Sequence, residues 1–329
     1  MLCVSVCVVA YNEQKYLGRL LQDIVSQTYP HDGIEVVLID SLSEDGTKQM
    51  MEDFKTGYGS DFRNIQVLDN PGRIQAAGWN VAIDHFTGDV LSRIDAHARI
   101  APDFVGKVVA NMEQGEMIVG GQRPCRMDSR TEWADILLRV ENSLFGSSIN
   151  PSKREAKKQY VKTVFHASYR REVFEKVGHF SEFLLRTEDN EMHYRMRQAG
   201  YRICYDPEIV SYQYARSDLR KMVKQKYGNG YWIGLTLKIC PGCISVYHLI
   251  PCAFVLSIVC TGILALLGYW HLFAVMWGAY FLFCIISTAA SSIHAPFNRY
   301  LFLMPVLFPV LHVAYGAGSV MGLLGKTEK

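Results

Sequence analysis

The 329-residue sequence has no Gly-x-Gly-x-x-Gly after its first apolar run and no Walker A motif. The first absence counts against a dinucleotide-dependent dehydrogenase and the second against a P-loop ATPase. Excess charge is also lacking. Lys and Arg total 34 against 32 Asp and Glu, a net +2, so the overall balance gives no electrostatic reason to expect a nucleic-acid partner. The nine cysteines (Cys3, Cys7, Cys125, Cys204, Cys240, Cys243, Cys252, Cys260, Cys284) are scattered, several of them in apolar runs. They read as reduced, buried thiols of a cytosol-facing protein, not as a disulfide framework. Cys240-Pro-Gly-Cys243 is the one close pair, and without a second pair zinc is not expected. No secretory signal is read at the start: a basic n-region is missing, and Val4 to Ala10 is too short and too β-branched for an h-region. Repeats and low-complexity segments are absent as well. What stands out is an uneven apolar content, ordinary to about residue 240 and very high beyond.

The first 100 residues alternate strand and helix signals. Val4–Ala10 is a continuous apolar run, as a strand buried on both faces requires. Leu17, Leu20, Leu21, Ile24 and Val25 follow at helical spacing. A second strand, 34–39, ends at Asp40, and the turn after it, 41–47, supplies N-capping residues for another helix. A weaker strand over 65–68 precedes Asn70-Pro-Gly-Arg73 and a helical stretch over 75–86. The apolar run 90–94 then leads into Asp95-Ala96-His97. Strand and helix in strict alternation predict an α/β fold with a doubly wound, mostly parallel sheet.

Asn12, Asp40, Arg73 and Asp95 each fall at a strand's carboxyl end, where open parallel sheets bind ligands. A carboxylate there can accept hydrogen bonds from a base or ribose, and an arginine can offset phosphate charge. Each residue taken singly suits a turn or a cap; four in register point to a nucleotide site. Continued extended backbone would put Asp95 and His97 on one face, with Ala96 turned away, so that a carboxylate and an imidazole could share a divalent cation. The plainer reading of this pair is an Asp opening a turn and a His that only hydrogen-bonds.

Val-Val-Ala-Tyr-Asn-Glu13, Val-Leu-Ile-Asp-Ser-Leu-Ser-Glu-Asp-Gly-Thr47 and Ile-Asp-Ala-His97 together resemble the family 2 glycosyltransferases of the GT-A fold. The Asp-Ala-His-Ala form is most similar to the succinoglycan-type, ExoA-like membrane enzymes. The resemblance covers residues 3–235 and, more loosely, the tail. It implies nucleotide contacts from Ala10, Tyr11, Asn12, Glu13, Asp40, Arg73 and Asp95, and a divalent metal, Mn²⁺ or Mg²⁺, at Asp95 and His97. His97 stands where most members have a second Asp, and imidazole suits a transition metal better than Mg²⁺.

Further along, 117–125 reads as a strand and turn that could wall the acceptor side, and Trp133 to Phe145 as a helix. The basic run 153–158 could meet a lipid-linked diphosphate or be a solvated loop. Residues 163–174 resemble the family segment lining the acceptor pocket, with Tyr169 and Arg170 as its site candidates. Thr187-Glu188-Asp189 opens a helical run, where the helix dipole favours an ionised carboxylate. The resemblance makes Asp189, beside Glu188, the base that takes a proton from the acceptor hydroxyl. Residues 201–207 read as a closing strand and turn.

Residues 214–243 carry Arg216, Arg220, Lys221, Lys224 and Lys226 among aromatics, as suits an anionic leaflet, and resemble the family's interface helix. Gln225-Lys-Tyr-Gly-Asn does not match the Gln-x-x-Arg-Trp of processive synthases, which implies one sugar per encounter, with Gln225 as an acceptor contact. Three apolar runs, about 244–268, 272–293 and 300–324, are each long enough to cross a bilayer, which takes ~20 residues. Tyr247, Tyr269, Trp270 and Tyr300 lie near their ends. The basic stretch puts the large domain in the cytoplasm, whereas three full spans would put Lys326 and Lys329 outside; Pro305 and Pro309 leave room for a kinked or re-entrant third segment.

The expected organisation is therefore a catalytic domain over 1–213, a basic interface segment over 214–243 and an all-α membrane domain over 244–329, in a multi-pass bacterial membrane protein. The expected activity is inverting, metal-dependent, non-processive transfer from a nucleotide sugar, most simply a UDP-sugar, to a polyprenyl-linked saccharide, for cell-surface polysaccharide. A polyprenyl-phosphate glycosyltransferase and a non-catalytic membrane scaffold of the same fold are the alternatives.

Overall fold

The computed structural model describes residues 1–126, 131–143, 145–146, 157–214, 218–293 and 295–326. The expectations placed on 153–156, Arg216 and Lys329 lie outside them. The chain forms two compact units: Met1–Pro124 with Pro151–Gln213, and Cys125–Asn150 with Tyr214–Lys329.

In chain order the elements run β1 (Val4–Ala10), α1 (Gln14–Val25), β2 (Ile34–Asp40), α2 (Thr47–Tyr58), β3 (Asn64–Asp69), α3 (Gln75–His85), β4 (Val90–Asp95) and β5 (Arg99–Ile100). Then come α4 (Phe104–Glu113), β6 (Ile118–Gln122), β7 (Cys125–Arg126) and α5 (Glu132–Asn142). They are followed by β8 (Gln159–Val161), β9 (Ser168–Arg170), α6 (Arg171–Val177), α7 (Glu188–Gln198) and β10 (Ile203–Tyr214). The last four are α8 (Leu219–Ile239), α9 (Ile250–Leu266), α10 (Trp270–Ala290) and α11 (Met304–Leu324).

The sheet of the first unit has the order β3-β2-β1-β4-β9-β6-β10-β5. Strands β3, β2, β1 and β4 are parallel, and β9 runs antiparallel between β4 and β6. All seven residues of β1 and of β2 are buried, which is why their sequences are apolar without alternation. Their side chains still alternate between two cores. Val4, Val6 and Val8 join Leu17, Leu20 and Ile24 of α1 on one face, while Cys7 and Val9 meet Trp79 and Ala82 of α3 on the other. Glu35 is the charged exception inside β2. Ser5, Asn64, Gln66 and Thr87 all hydrogen-bond its carboxylate, so the buried charge is satisfied.

Strand β10 runs longer than the strand and turn expected over 201–207. Its pairing with β6 shifts between Asp206 and Val210, and this bulge accommodates Pro207, which cannot donate to a ladder. Gly121 faces the bulge, where a Cβ would stand 1.9 Å from the Ile209 carbonyl oxygen.

In the second unit α9 and α10 form an antiparallel hairpin, with Phe254 stacked on Tyr280 and Ser257 against Met276. Three helical stretches, Val246–Leu266, Trp270–Ala290 and Leu301–Leu324, are long and apolar enough to cross a membrane. Helix α8 packs along α11 through glycines: a Cβ at Gly230, Gly234, Gly318 or Gly322 would lie 1.9–2.2 Å from a carbonyl oxygen of the other helix. Cys240 and Cys243 are joined in a disulfide that closes the turn after α8, which corrects the reading of all nine cysteines as thiols; the other seven form no disulfide.

Candidate active site

The sheet register carries the strand-end residues to one edge. Ala10 pairs with Asp40, Asp40 with Asp69, and Val9 with Asp95. Among the described residues, the non-glycine positions with positive φ are Asn12 (54°), Leu42 (58°), Arg73 (58°) and His166 (45°). The first three lie just past β1, β2 and β3, so left-handed backbone concentrates at the carboxyl edge. The first two loops brace each other. Asn12 Oδ1 accepts from the Glu44 amide at 2.8 Å, and the Asn12 and Glu13 amides donate to Ser43 Oγ and Thr47 Oγ1. Tyr11 and Arg73 are exposed beside them.

Asp40 is buried at the floor of this edge. Its Oδ2 accepts from the Ser43 amide at 3.1 Å, while Oδ1 is buried with no protein hydrogen-bond partner. An unpaired buried carboxylate oxygen is costly unless a ligand donor meets it. It suits an N–H or O–H of a nucleoside.

Asp95 is the electrostatic centre. His166 Nε2 stands 3.2 Å from its Oδ2, Arg123 Nη1 lies 3.8 Å from the same oxygen, and Gln75 Nε2 donates to Oδ1 at 3.1 Å. Burial by itself would raise the Asp95 carboxyl, but the His166 contact and the charges of His166, Arg93 and His97 outweigh it and hold the group well below the usual carboxylate range. His166 is driven below its ordinary value by burial. Its ring is therefore mostly neutral at neutral pH, so the Arg93 guanidinium is the full positive charge that favours ionised Asp95.

The extended backbone expected to run on through His97 stops short of it. The strand ends at Asp95, and Ala96 and His97 form a turn closed by the Ala98 amide on the Asp95 carbonyl, so strand alternation no longer applies. His97 Nδ1 instead contacts Glu13 Oε1 at 3.1 Å. Among the described residues no group of three or more His, Cys, Asp and Glu side chains converges on one point. A cation bound chiefly by a diphosphate needs only one or two protein ligands, however, and an ionised Asp95 beside the unpartnered His166 Nε2 fits that demand.

The second centre begins α7. Thr187 precedes it, with Glu188, Asp189 and Glu191 in the first turn. Glu188 turns inward, 3% exposed, and takes Arg93 Nη2 at 3.1 Å. Arg93 also lies over the rings of Trp79 and Phe180. Asp189 turns the other way, into a pocket it lines with Arg93, Asp95, Phe165, His166 and Tyr169, which holds about 230 Å³ of empty space counting its open mouth. Burial, followed by the Asp189 charge, pushes the Glu188 carboxyl up to about 7 against the pull of Arg93. The Tyr169 ring lines the pocket, but its hydroxyl points back to His193 Nε2 at 2.9 Å; Thr163 holds the other nitrogen of that ring at 2.8 Å. Burial depresses His193 to about 3, so it is a neutral strut.

Arg170 does not reach this pocket. It pairs with Val90, at the far end of β4 from Asp95, and its guanidinium donates to the Met112 carbonyl. Gln225 lies on α8, in the second unit. Arg93, Arg123 and His166 were not singled out in the sequence. Arg93 had a signal, standing two before Asp95 on the same face of β4. His166 lay within the 163–174 segment read as resembling the acceptor lining, but its nearness to Asp95 had no signal, because the antiparallel insertion of β9 brings it in from 71 residues away.

The profile of Glycosyl transferase family 2 matches residues 5–178, and that of Glycosyl transferase family group 2 matches residues 92–317. The chain is 26% identical to the dolichyl N-acetyl-alpha-D-glucosaminyl phosphate 3-beta-D-2,3-diacetamido-2,3-dideoxy-beta-D-glucuronosyltransferase of Methanococcus voltae, over 98% of this chain and 97% of that one. It is 27% identical to the succinoglycan biosynthesis protein ExoA of Rhizobium meliloti, over 67% and 65%. In fold it is similar to the mannosyltransferase PcManGT of Pyrobaculum calidifontis, solved with GDP-Man and Mn²⁺, with a TM-score of 0.60 at 18% identity over 99% of this chain and 88% of that one.

Proposed function

The chain belongs to glycosyl transferase family 2, and we propose that it moves one sugar from a UDP-sugar to a hydroxyl of a lipid-linked saccharide at the cytoplasmic face of a membrane. The observation that carries this reading is that Asp95 and Asp189 line one pocket; the first would serve the donor side and the second the acceptor side. The Methanococcus relative, named for a dolichyl phosphate-linked sugar acceptor, supports an acceptor of that class.

Asp40 and the braced loops after β1 and β2 would hold the nucleoside, with Ala10, Tyr11, Asn12 and Glu13 along its rim. Arg73 would reach the diphosphate. A divalent cation, Mn²⁺ or Mg²⁺, would be held at Asp95 and supply charge neutralisation for the departing diphosphate. Asp189 takes the proton of the acceptor hydroxyl as its oxygen bonds to the anomeric carbon. The carbon–oxygen bond to the diphosphate breaks, and the nucleoside diphosphate leaves with the electron pair. One displacement inverts the centre, so an α-linked donor gives a β-linked product. Glu188 faces Arg93 and not the pocket, so its role is to position the Asp189 end of α7. Residues 1–213 would be the catalytic domain, 214–243 a basic interface segment and 244–329 the membrane anchor.

Asp189→Asn is expected to remove transfer, by 10²-fold or more on the usual scale of general-base catalysis, while UDP binding stays within about threefold. A polyprenyl phosphate attacking through its own oxygen needs no such base. Transfer retained in Asp189→Asn, with an acid-labile product, would establish that acceptor instead.

A further inference from the structure

We propose that His166, and not His97, is the side chain that joins Asp95 in holding the divalent cation. The inference rests on the donor-site reading above and deepens it. His166 is 5% exposed, and its Nε2 is buried with no hydrogen-bond partner although it stands 3.2 Å from Asp95 Oδ2. The distance is right for a hydrogen bond; the direction is not. It does match an edge of a coordination octahedron, since two ligands at right angles and each about 2.1 Å from an ion lie about 3.0 Å apart. The other ring nitrogen is occupied: Nδ1 lies 2.7 Å from Ser211 Oγ, on β10. With Nδ1–H donating to Ser211, Nε2 keeps its lone pair, directed beside Asp95 Oδ2 and not at it, where one ion can meet both, as metal-bound histidines do when a second partner fixes the tautomer. A nitrogen lone pair crowded against a carboxylate oxygen is repulsive until a cation bridges the two. The backbone is bent to present the ring, with φ 45° at His166 and the Ala167 carbonyl bonded to the Arg93 amide. His97 lies in a turn with Nδ1 on Glu13, so it braces the loop after β1. Gln75 on the other Asp95 oxygen and Arg123 at 3.8 Å complete the surroundings; Arg123 is placed to meet diphosphate oxygens.

The test is Mn²⁺ binding to the full chain in detergent, with and without UDP, read by the electron paramagnetic resonance of free Mn²⁺, beside metal-free melting curves. His166→Gln is expected to weaken Mn²⁺ at least tenfold and His97→Gln less than threefold. His166→Cys is expected to bind Cd²⁺ with a thiolate-to-metal absorption band that wild type and Asp95→Asn,His166→Cys both lack. That arm also decides the matter if His166→Gln does not fold. Wild-type binding in His166→Gln with loss in His97→Gln, or no Cd²⁺ band in a folded His166→Cys, overturns the His166 assignment and leaves the donor site standing. No Mn²⁺ binding by wild type overturns both.

The second unit carries an independent inference: α11 lies along the membrane surface with α8, and only the α9–α10 hairpin crosses. The glycine contacts run in parallel order, with Gly230 on Tyr315, Gly234 on Ser319 and Gly322 on Tyr231, and they end with Lys238 Nζ donating to the Gly325 carbonyl. The two helices therefore share one depth along that length. Helix α8 carries Arg220, Lys221, Lys224, Lys226 and Lys238, and such cationic side chains are strongly disfavoured at the centre of a span. A helix bound to α8 cannot cross without drawing those charges in. Val306, Val310, Val313, Met321 and Leu324 form an exposed stripe along α11, with Phe302 exposed just before it, for acyl chains to cover. Two crossings return Lys326 to the side where α8 starts, in accord with the positive-inside tendency.

Single cysteines at Gly268 and Lys326, in a background with Cys260→Ser, separate the alternatives when intact cells meet a membrane-impermeant maleimide. Gly268→Cys, at the hairpin tip, is expected to react, and Lys326→Cys only after permeabilisation. Labelling of Lys326→Cys in intact cells overturns the inference.

Discussion

Glu188 shows how far one carboxyl can be moved by its place in a fold. Burial and the neighbouring Asp189 raise it to about 7 from an ordinary 4.5, so the folded chain keeps a proton that the unfolded chain gives up. Its contribution to stability is full below about pH 4.5 and is lost as pH rises through 7. The melting temperature is expected to fall between pH 5 and pH 8, and Glu188→Gln to flatten that fall; superimposable profiles would contradict the account. Asp95 has the opposite sign. Its lowered value gives stability above the ordinary carboxylate range that is lost only in strong acid, so the two are separable by pH. Arg93 is the cation between them. Arg93→Met leaves Glu188 buried without its cation, so the carboxyl is expected to rise further and keep its proton at neutral pH, at a cost of about 1–3 kcal/mol for the unsatisfied group, with Arg93→Met,Glu188→Met recovering more than half. Denaturant midpoints of the two singles and the double give the coupling directly.

At the scale of elements, the strands that were legible are those whose burial leaves one pattern in the sequence. Val4–Ala10 and Ile34–Asp40 are mostly apolar, without alternation, because both faces are covered, and helix α1 repeats leucine and isoleucine at turns. What misled was local. The alternation that seemed to aim Asp95 and His97 together stops with the strand, and no residue spacing reports where a strand yields to a turn. Pro207 read as an end to β10, although the bulge beside Gly121 lets the strand continue. His166 lies in the 163–174 segment that resembled the acceptor lining, but only the sheet topology brings it to Asp95. The glycines of α8 and α11 were legible as letters but not as contacts. Gly234→Ala is expected to lower the melting temperature by several degrees, as its Cβ would stand 2.2 Å from the Ser319 carbonyl. Gly262→Ala on α9, with open space around its Cβ, is the matched control and is expected to change little.

For the whole molecule, the order of motifs announced a donor site on a parallel sheet followed by a membrane tail, and the sheet register gathers those motifs at one edge. The tail was read from apolar length, interface aromatics and basic flanks, which count segments but left open whether the third one crosses; the glycine packing of α8 on α11 was not visible there. An enzyme without the processive Gln-x-x-Arg-Trp is expected to add a single sugar to each acceptor even in large donor excess, and mass spectrometry of the lipid product should show one added residue and no ladder. The central claim is a metal-assisted nucleotide site at the carboxyl edge, and thermal unfolding of the detergent-purified full chain with UDP and Mn²⁺ tests it most directly. UDP at about a hundred times its dissociation constant should add roughly 2.7 kcal/mol of stability. The account predicts that gain only with Mn²⁺ present and none of it in Asp95→Ala. An unchanged melting temperature with every nucleotide tried, metal or no metal, would contradict it.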